Sequence, residues 1–160
     1  MNNSYLPEGA EIKYVAVNND YMKEALVIRD LGSTDMQFPT GAVVVFQGVI
    51  IGSGANQSAL KNKKLINIHK EFLCIRRILK IPSGHKYWLC PGCSSHEEHA
   101  EARAVRDAIR NNPGKSIVGS SLYLYGHWWC CRPCWDRMTE VGISKVFLVE
   151  GAEDLFKRRV

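Results

Sequence analysis

His99, Glu101, Cys131 and Cys134 are the residues of this chain whose types and spacing could do chemistry. One neutral imidazole and two thiolates suit zinc. A zinc ion with three protein ligands keeps a position open for water, whereas a structural site closes itself with four. Glu101 stands two residues from His99 and need not bind the metal, so its carboxylate is available to carry protons. The set predicts hydrolysis by an activated water, with His99, Cys131 and Cys134 as metal ligands and Glu101 as the catalytic acid and base. A purely structural zinc cluster and a redox-active CxxC pair are the competing readings of the same cysteines.

Two helix starts must position these groups. Cys131 and Cys134 are three residues apart, so the first turn of a helix points both sulfurs at one place, where its positive end favours thiolate. That helix is expected over residues 131–141, stopped by Gly142. His99 and Glu101 fall in the first turn of another, whose apolar stripe is Ala100, Ala104, Val105, Ala108 and Ile109 and which ends near Asn111-Asn112-Pro113-Gly114. Ser121–Tyr125 and Lys145–Val149 read as strands on either side of the CxxC helix, and a helical crossover makes them parallel. Upstream, residues 12–17 are a short strand or the lead-in to a helix, and a first helix runs from Asp20 to Gly32. The apolar stretches 42–46 and 49–51 form a hairpin about Gln47-Gly48. Lys61, Lys63 and Lys64 read as a solvated loop, then Ile68, Phe72, Ile75 and Leu79 repeat at helical spacing up to Pro82-Ser83-Gly84. A closing helix is expected over residues 154–159. The fold class is therefore α/β, a mixed sheet with helices on its faces.

With 160 residues, 46% of them hydrophobic and 23% charged, the chain is expected to hold one domain over residues 20–160, preceded by a tail or extra strand at 1–19. No apolar run approaches the roughly 18 residues of a membrane span, and the first dozen residues are too polar for a secretion signal, so a soluble cytoplasmic protein without a membrane partner is expected. The six cysteines cluster beside histidines, which favours metal over disulfides. Cys90-Pro91-Gly92-Cys93-Ser94-Ser95-His96 carries a CxxCxxH spacing. With Cys74 as fourth ligand, and His85 as a substitute, Cys90, Cys93 and His96 would make a second, structural zinc site; reduced structural thiols are the alternative. A formal charge of +5 favours anionic ligands without by itself implying nucleic acid. Trp128 and Trp129, just before the cysteines, either stack on a base or belong to the core.

Cys74-Ile75-Arg76-Arg77, then Ile81-Pro82-Ser83-Gly84, Cys90 and His99-Ala100-Glu101, follow one another in the order C-L-R, I-P-S-G, C, H-A-E. With Ser33-Thr34, the segment Thr40-Gly41-Ala42-Val43-Val44-Val45, Gly54-Ala55-Asn56, and a Cys-x-x-Cys at 131 and 134, the chain resembles the cytidine deaminase superfamily and, within it, the deoxycytidylate (dCMP) deaminases. The resemblance spans residues from about 20 to 149. It implies a three-layer α/β/α fold with a mixed central sheet of about five strands, a catalytic Zn2+ on His99, Cys131 and Cys134, proton transfer by Glu101, a substrate contact from Asn56, and a homo-oligomer. The implied reaction is dCMP to dUMP with release of ammonia. Another base, a nucleoside or single-stranded nucleic acid is the alternative substrate, and a non-catalytic zinc-stabilised binding module the alternative class. Phosphate is assigned to some of Lys61, Lys63, Lys64, Arg76 and Arg77. The chain departs from the family's pattern where Cys130 replaces a proline, Ala55 a tyrosine, and Asp35 a frequent cysteine.

Overall fold

The computed structural model describes residues 5–35, 38–71, 74–82 and 85–157. Its elements are β1 (Glu11–Val15), α1 (Asp20–Gly32), β2 (Gly41–Phe46), β3 (Val49–Ala55), α2 (Lys63–Glu71), α3 (Ile75–Ile78), α4 (Ala100–Asn111), β4 (Ser121–Tyr125), α5 (Arg132–Glu140), β5 (Lys145–Val149) and α6 (Ala152–Phe156). The strands form one five-stranded sheet in the order β1-β5-β4-β2-β3. Pairing is parallel for β1 with β5 and for β5 with β4, and antiparallel for β4 with β2 and for β2 with β3. The expected mixed α/β sheet is the one observed, and α5 makes the crossover that sets β4 and β5 parallel.

Alternation along the strands gives each helix its face. Gly41 packs under α1: a Cβ there would meet the Ala25 carbonyl oxygen at 2.2 Å. Gly52 and Gly54 lie opposite Val44 and Ala42 and point to the other face, where α4 comes so close that a Cβ would lie 2.4 Å from the Ala108 nitrogen and 2.5 Å from that of Ala104. The small residues Ala100, Ala104 and Ala108 on α4 complete that contact, and all three are buried. Asp107 of α4 accepts the Ser53 backbone N–H at 2.9 Å, which fixes the helix along the strand. Trp135 and Met138 of α5 are fully buried in the same core as Leu122, Leu124, Val146 and Leu148.

Three sequence expectations need correction. The run Ile68, Phe72, Ile75, Leu79 is not one helix: α2 ends at Glu71 and α3 begins at Ile75, with Phe72 outside the described residues. The described members of that stripe face water: Ile68, Ile75 and Leu79 are 43%, 41% and 59% exposed. Lys63 and Lys64 open α2 and are not a loop. The closing helix starts two residues early and covers Ala152–Phe156, while the end of the expected span, 158–159, lies outside the described residues. The strand alternative describes Glu11–Val15, which takes the sheet edge beside β5. Among the described residues, no helix is long and apolar enough to cross a membrane.

Candidate functional site

At one end of the sheet, β3 and β4 finish, β2 begins and α4 and α5 start. A pocket of about 530 Å3, including its open mouth, lies there, with His99, Glu101, Cys131, Asn56 and Trp129 on its wall. His99 is the N-cap of α4, with φ −64° and ψ 153°. Residues two apart within a helix point away from each other, but an extended cap swings the imidazole back to the side that Glu101 faces. Cys131 is likewise the extended N-cap of α5, and Cys134 lies one turn in, after Pro133.

His99 Nδ1 lies 3.6 Å from Cys131 Sγ and 3.5 Å from Cys134 Sγ, and the three donor atoms are all within 4.8 Å of one another. A tetrahedral zinc with Zn–S near 2.3 Å and Zn–N near 2.05 Å requires nitrogen–sulfur separations of about 3.6 Å, so the donor set fits that ion with a fourth corner left over. Without metal the three groups share protons among themselves, and binding of the ion must release those held by its donors. Cys131 is held down at about 4, because the Cys134 thiol donates to it and His99 sits beside it, while burial works the other way. Cys134 moves up as the donor in that shared bond. Burial lowers the His99 pKa, but its hydrogen bond to Cys131 and the charge of Glu101 outweigh burial and raise it.

Glu101 is 5% exposed, and burial pushes its carboxyl above the ordinary glutamate value. Cys130 hydrogen-bonds that carboxylate. Burial and Glu101 together raise the Cys130 thiol well above its ordinary value, so the residue that replaces a proline stays protonated and donates. Asn56, expected to touch substrate, lines the pocket and is held there by its neighbours. Its Oδ1 accepts from Ser33 Oγ at 2.6 Å and the Thr40 N–H at 2.9 Å, and its Nδ2 donates to the Phe38 carbonyl at 2.7 Å. It staples the loop after α1 to the end of β3 and so shapes the pocket wall. Trp129 lines the pocket. Trp128 stands behind it, against the Phe38 ring and stacked on His127 at 4.3 Å and 6°. Of the basic candidates, Arg76 reaches the pocket wall, whereas Lys61, Lys63 and Lys64 are exposed on the surface.

Sequence reasoning missed His127 and His69. His127 lines the pocket, and its Nδ1 lies 2.8 Å from the Trp129 carbonyl oxygen. Burial holds its pKa down at about 4, against the pull of that carbonyl. An unfolded histidine near 6.5 therefore binds a proton that the folded one refuses, so this group's contribution to stability is complete above pH 6.5 and falls as pH drops from 6.5 towards 4. The expected loss is about 2 kcal/mol after discounting for the ring's residual exposure. Denaturant titrations of the wild type and His127→Phe from pH 7.5 to 4.5 check it: the variant's profile should be flatter by that amount, and parallel profiles would refute it. His69 belongs to a second cluster. It joins Cys74, Cys90 and Cys93 within 4.8 Å, whereas His96 stacks edge-on to Tyr87 and His99 at 4.9 and 5.4 Å, and His85 offers its carbonyl to Arg76. The expected nitrogen donor of that cluster is thus corrected from His96 to His69.

Residues 16–150 match the family model described as the cytidine and deoxycytidylate deaminase zinc-binding region. Among solved structures, the chain is similar to the dCMP deaminase of cyanophage S-TIM5, with 22% identity, a TM-score of 0.49 and 86% of both chains covered. It is also similar to a Thermotoga maritima diaminohydroxyphosphoribosylaminopyrimidine deaminase/reductase, with 23% identity and a TM-score of 0.48, over 80% of this chain and 28% of that one. A guanine deaminase from Bacillus subtilis shows 19% identity and a TM-score of 0.45, over 85% of this chain and 68% of that one. This chain thus spans little more than a quarter of the length of the Thermotoga protein. No curated protein matches it.

Proposed function

Because the chain belongs to the cytidine and deoxycytidylate deaminase zinc-binding family, we propose that it is a zinc-dependent hydrolase that removes the exocyclic amine of a cytosine nucleotide, foremost dCMP to dUMP. The observation that carries this reading is Glu101, a buried carboxyl of raised pKa on the wall of the pocket that His99 and Cys131 also line, two of the three donors completed by Cys134. Zinc, when bound there, supplies Lewis acidity that lowers the pKa of water from 15.7 towards about 7. Glu101 takes the proton of the attacking water and delivers it to the ring nitrogen beside the amino carbon. It then takes the second proton of that water from the hydroxyl formed on the attacked carbon and hands it to the amine as the carbon–nitrogen bond breaks, so that cytosine and water leave as uracil and ammonia. A carboxyl whose pKa has been moved up toward the working pH can do both. Trp129 and Phe38 on the wall offer flat apolar surface for a base.

The aromatic group of Phe38, His127, Trp128 and Trp129 favours one other reading, a deaminase of single-stranded nucleic acid. Ammonia release from cytosine, deoxycytidine, CMP, dCMP, dCTP and single-stranded DNA separates the two. Turnover of dCMP at the highest kcat/KM is expected, and turnover of DNA alone would replace the substrate assignment. A homo-oligomer, a single deaminase domain over residues 20–160 and a reducing cytoplasmic setting for the six free cysteines belong to the same proposal.

A further inference from the structure

Among the described residues of 63–93, little apolar surface is buried. The small cluster at their centre consists of Cys74, Cys90 and Cys93, with Tyr87 packed against it. Around it Leu65, Ile68, Ile75, Ile78 and Leu79 are all more than 40% exposed, and Trp88 is 80% exposed. A segment whose described apolar side chains face water in this way gains from a staple.

We propose that His69, Cys74, Cys90 and Cys93 form a second, closed zinc site that supplies that staple, separate from the deaminase centre. All four side chains are buried. Cys74 Sγ and Cys93 Sγ are 3.8 Å apart, which is about the sulfur–sulfur edge of a tetrahedral site with 2.3 Å bonds. His69 Nε2 lies 3.0 Å from Cys90 Sγ and 3.9 Å from Cys93 Sγ, on either side of the nitrogen–sulfur edge of about 3.6 Å. Four protein donors leave no corner for water, so the site is structural, and three thiolates select zinc over harder divalent ions.

The surroundings are built for the charge. The Cys90 sulfur takes backbone hydrogen bonds from Gly92, Ile75 and Arg76, and the Arg76 guanidinium bonds the Cys93 sulfur. Three thiolates, a neutral imidazole and a divalent ion sum to −1, which that buried guanidinium offsets. Gly92 makes room for the imidazole: a Cβ there would sit 2.2 Å from the His69 ring. The second site also reaches toward the first, because Cys90 donates its N–H to the Tyr87 carbonyl and the Tyr87 ring lies edge-on to His99 at 5.3 Å.

The test separates this site from the first. In the full chain purified under reducing conditions, zinc is counted for the wild type and for a His99→Ala/Cys134→Ala variant, which removes two donors of the deaminase centre. The expected counts are two and one per chain, and X-ray absorption of the variant's zinc should show three sulfurs near 2.3 Å and one nitrogen near 2.0–2.1 Å. No zinc in the variant beside one in the wild type, or a thiol count short by two from a Cys74–Cys93 disulfide, overturns the proposal. Gly92→Ala keeps every donor, yet it should release one zinc to a chelator at least tenfold faster than the wild type; an unchanged rate removes His69 from the ligand set. Should the double variant not fold, wild-type absorption decides: 2.5 sulfurs per zinc is expected for both sites and two for the first alone. None of these readouts depends on which substrate is deaminated.

Discussion

Glu101→Gln abolishes turnover and leaves the zinc content unchanged. The glutamine keeps the shape of the side chain but cannot accept the proton of water or hand it to the leaving amine, and this one carboxyl serves both transfers. General acid–base catalysis contributes roughly 10²–10⁴ per group, so kcat/KM should fall by about 10³ or more. Zinc should stay, because the donors on His99, Cys131 and Cys134 are untouched. The same change should stabilise the metal-free protein. Burial raises the Glu101 pKa in the folded state, so folding there favours the protonated form, and stability falls as pH climbs from the unfolded value near 4.5 through the folded one. A neutral amide has no such loss, so at neutral pH the variant without metal should melt higher. Retained turnover would remove Glu101 from the reaction. Lost turnover together with lost zinc would assign it to metal binding instead.

The parts of this architecture that sequence made legible are those where one local rule decides. The strands Gly41–Phe46, Ser121–Tyr125 and Lys145–Val149 are short apolar runs bounded by turns, and Ala100, Ala104, Val105 and Ala108 of α4 are buried at helical spacing, so local pattern and packing agree. The segment from Lys63 to Cys90 was legible in its cysteines, which read as a metal cluster with Cys93, but not in its helices or its nitrogen donor. Its described apolar residues Ile68, Ile75 and Leu79 face solvent, and what organises it is a meeting of side chains far apart in the chain: His69 and Cys90 are 21 positions apart, and Cys74 and Cys93 19. A CxxCxxH spacing made His96 the obvious nitrogen donor, but His96 is held in an edge-on stack with Tyr87 and His99. The signal that pointed to His69 was Gly92, a residue whose missing side chain is filled by that ring, and only tertiary contact reveals it. Asn56 was legible as a residue of the pocket, while the three hydrogen bonds that hold it come from loops that composition cannot place.

Gly54→Ala should disable the protein almost as thoroughly as the loss of Glu101, without touching a chemical group. The added methyl would lie 2.5 Å from the Ala104 nitrogen, 2.7 Å from Arg103 Cβ and 2.8 Å from the Ala100 carbonyl oxygen. Two of those three atoms are backbone, so no rotamer change relieves the clash and α4 must move away from β3. Overpacking of this kind costs about 1–3 kcal/mol, and the rigid neighbour places this case at the upper end. The displacement is greatest where it matters for chemistry, because Ala100 is the first residue of α4, next to the His99 cap and to Glu101. A shift of about 1 Å in a reacting group can cost about 10² in rate. The midpoint of denaturant unfolding should therefore fall, and kcat/KM of the folded fraction should drop by about that factor with zinc still bound. A variant as stable and as active as the wild type would mean that α4 does not rest on this strand as described, and the placement of His99 and Glu101 on one pocket wall would go with it.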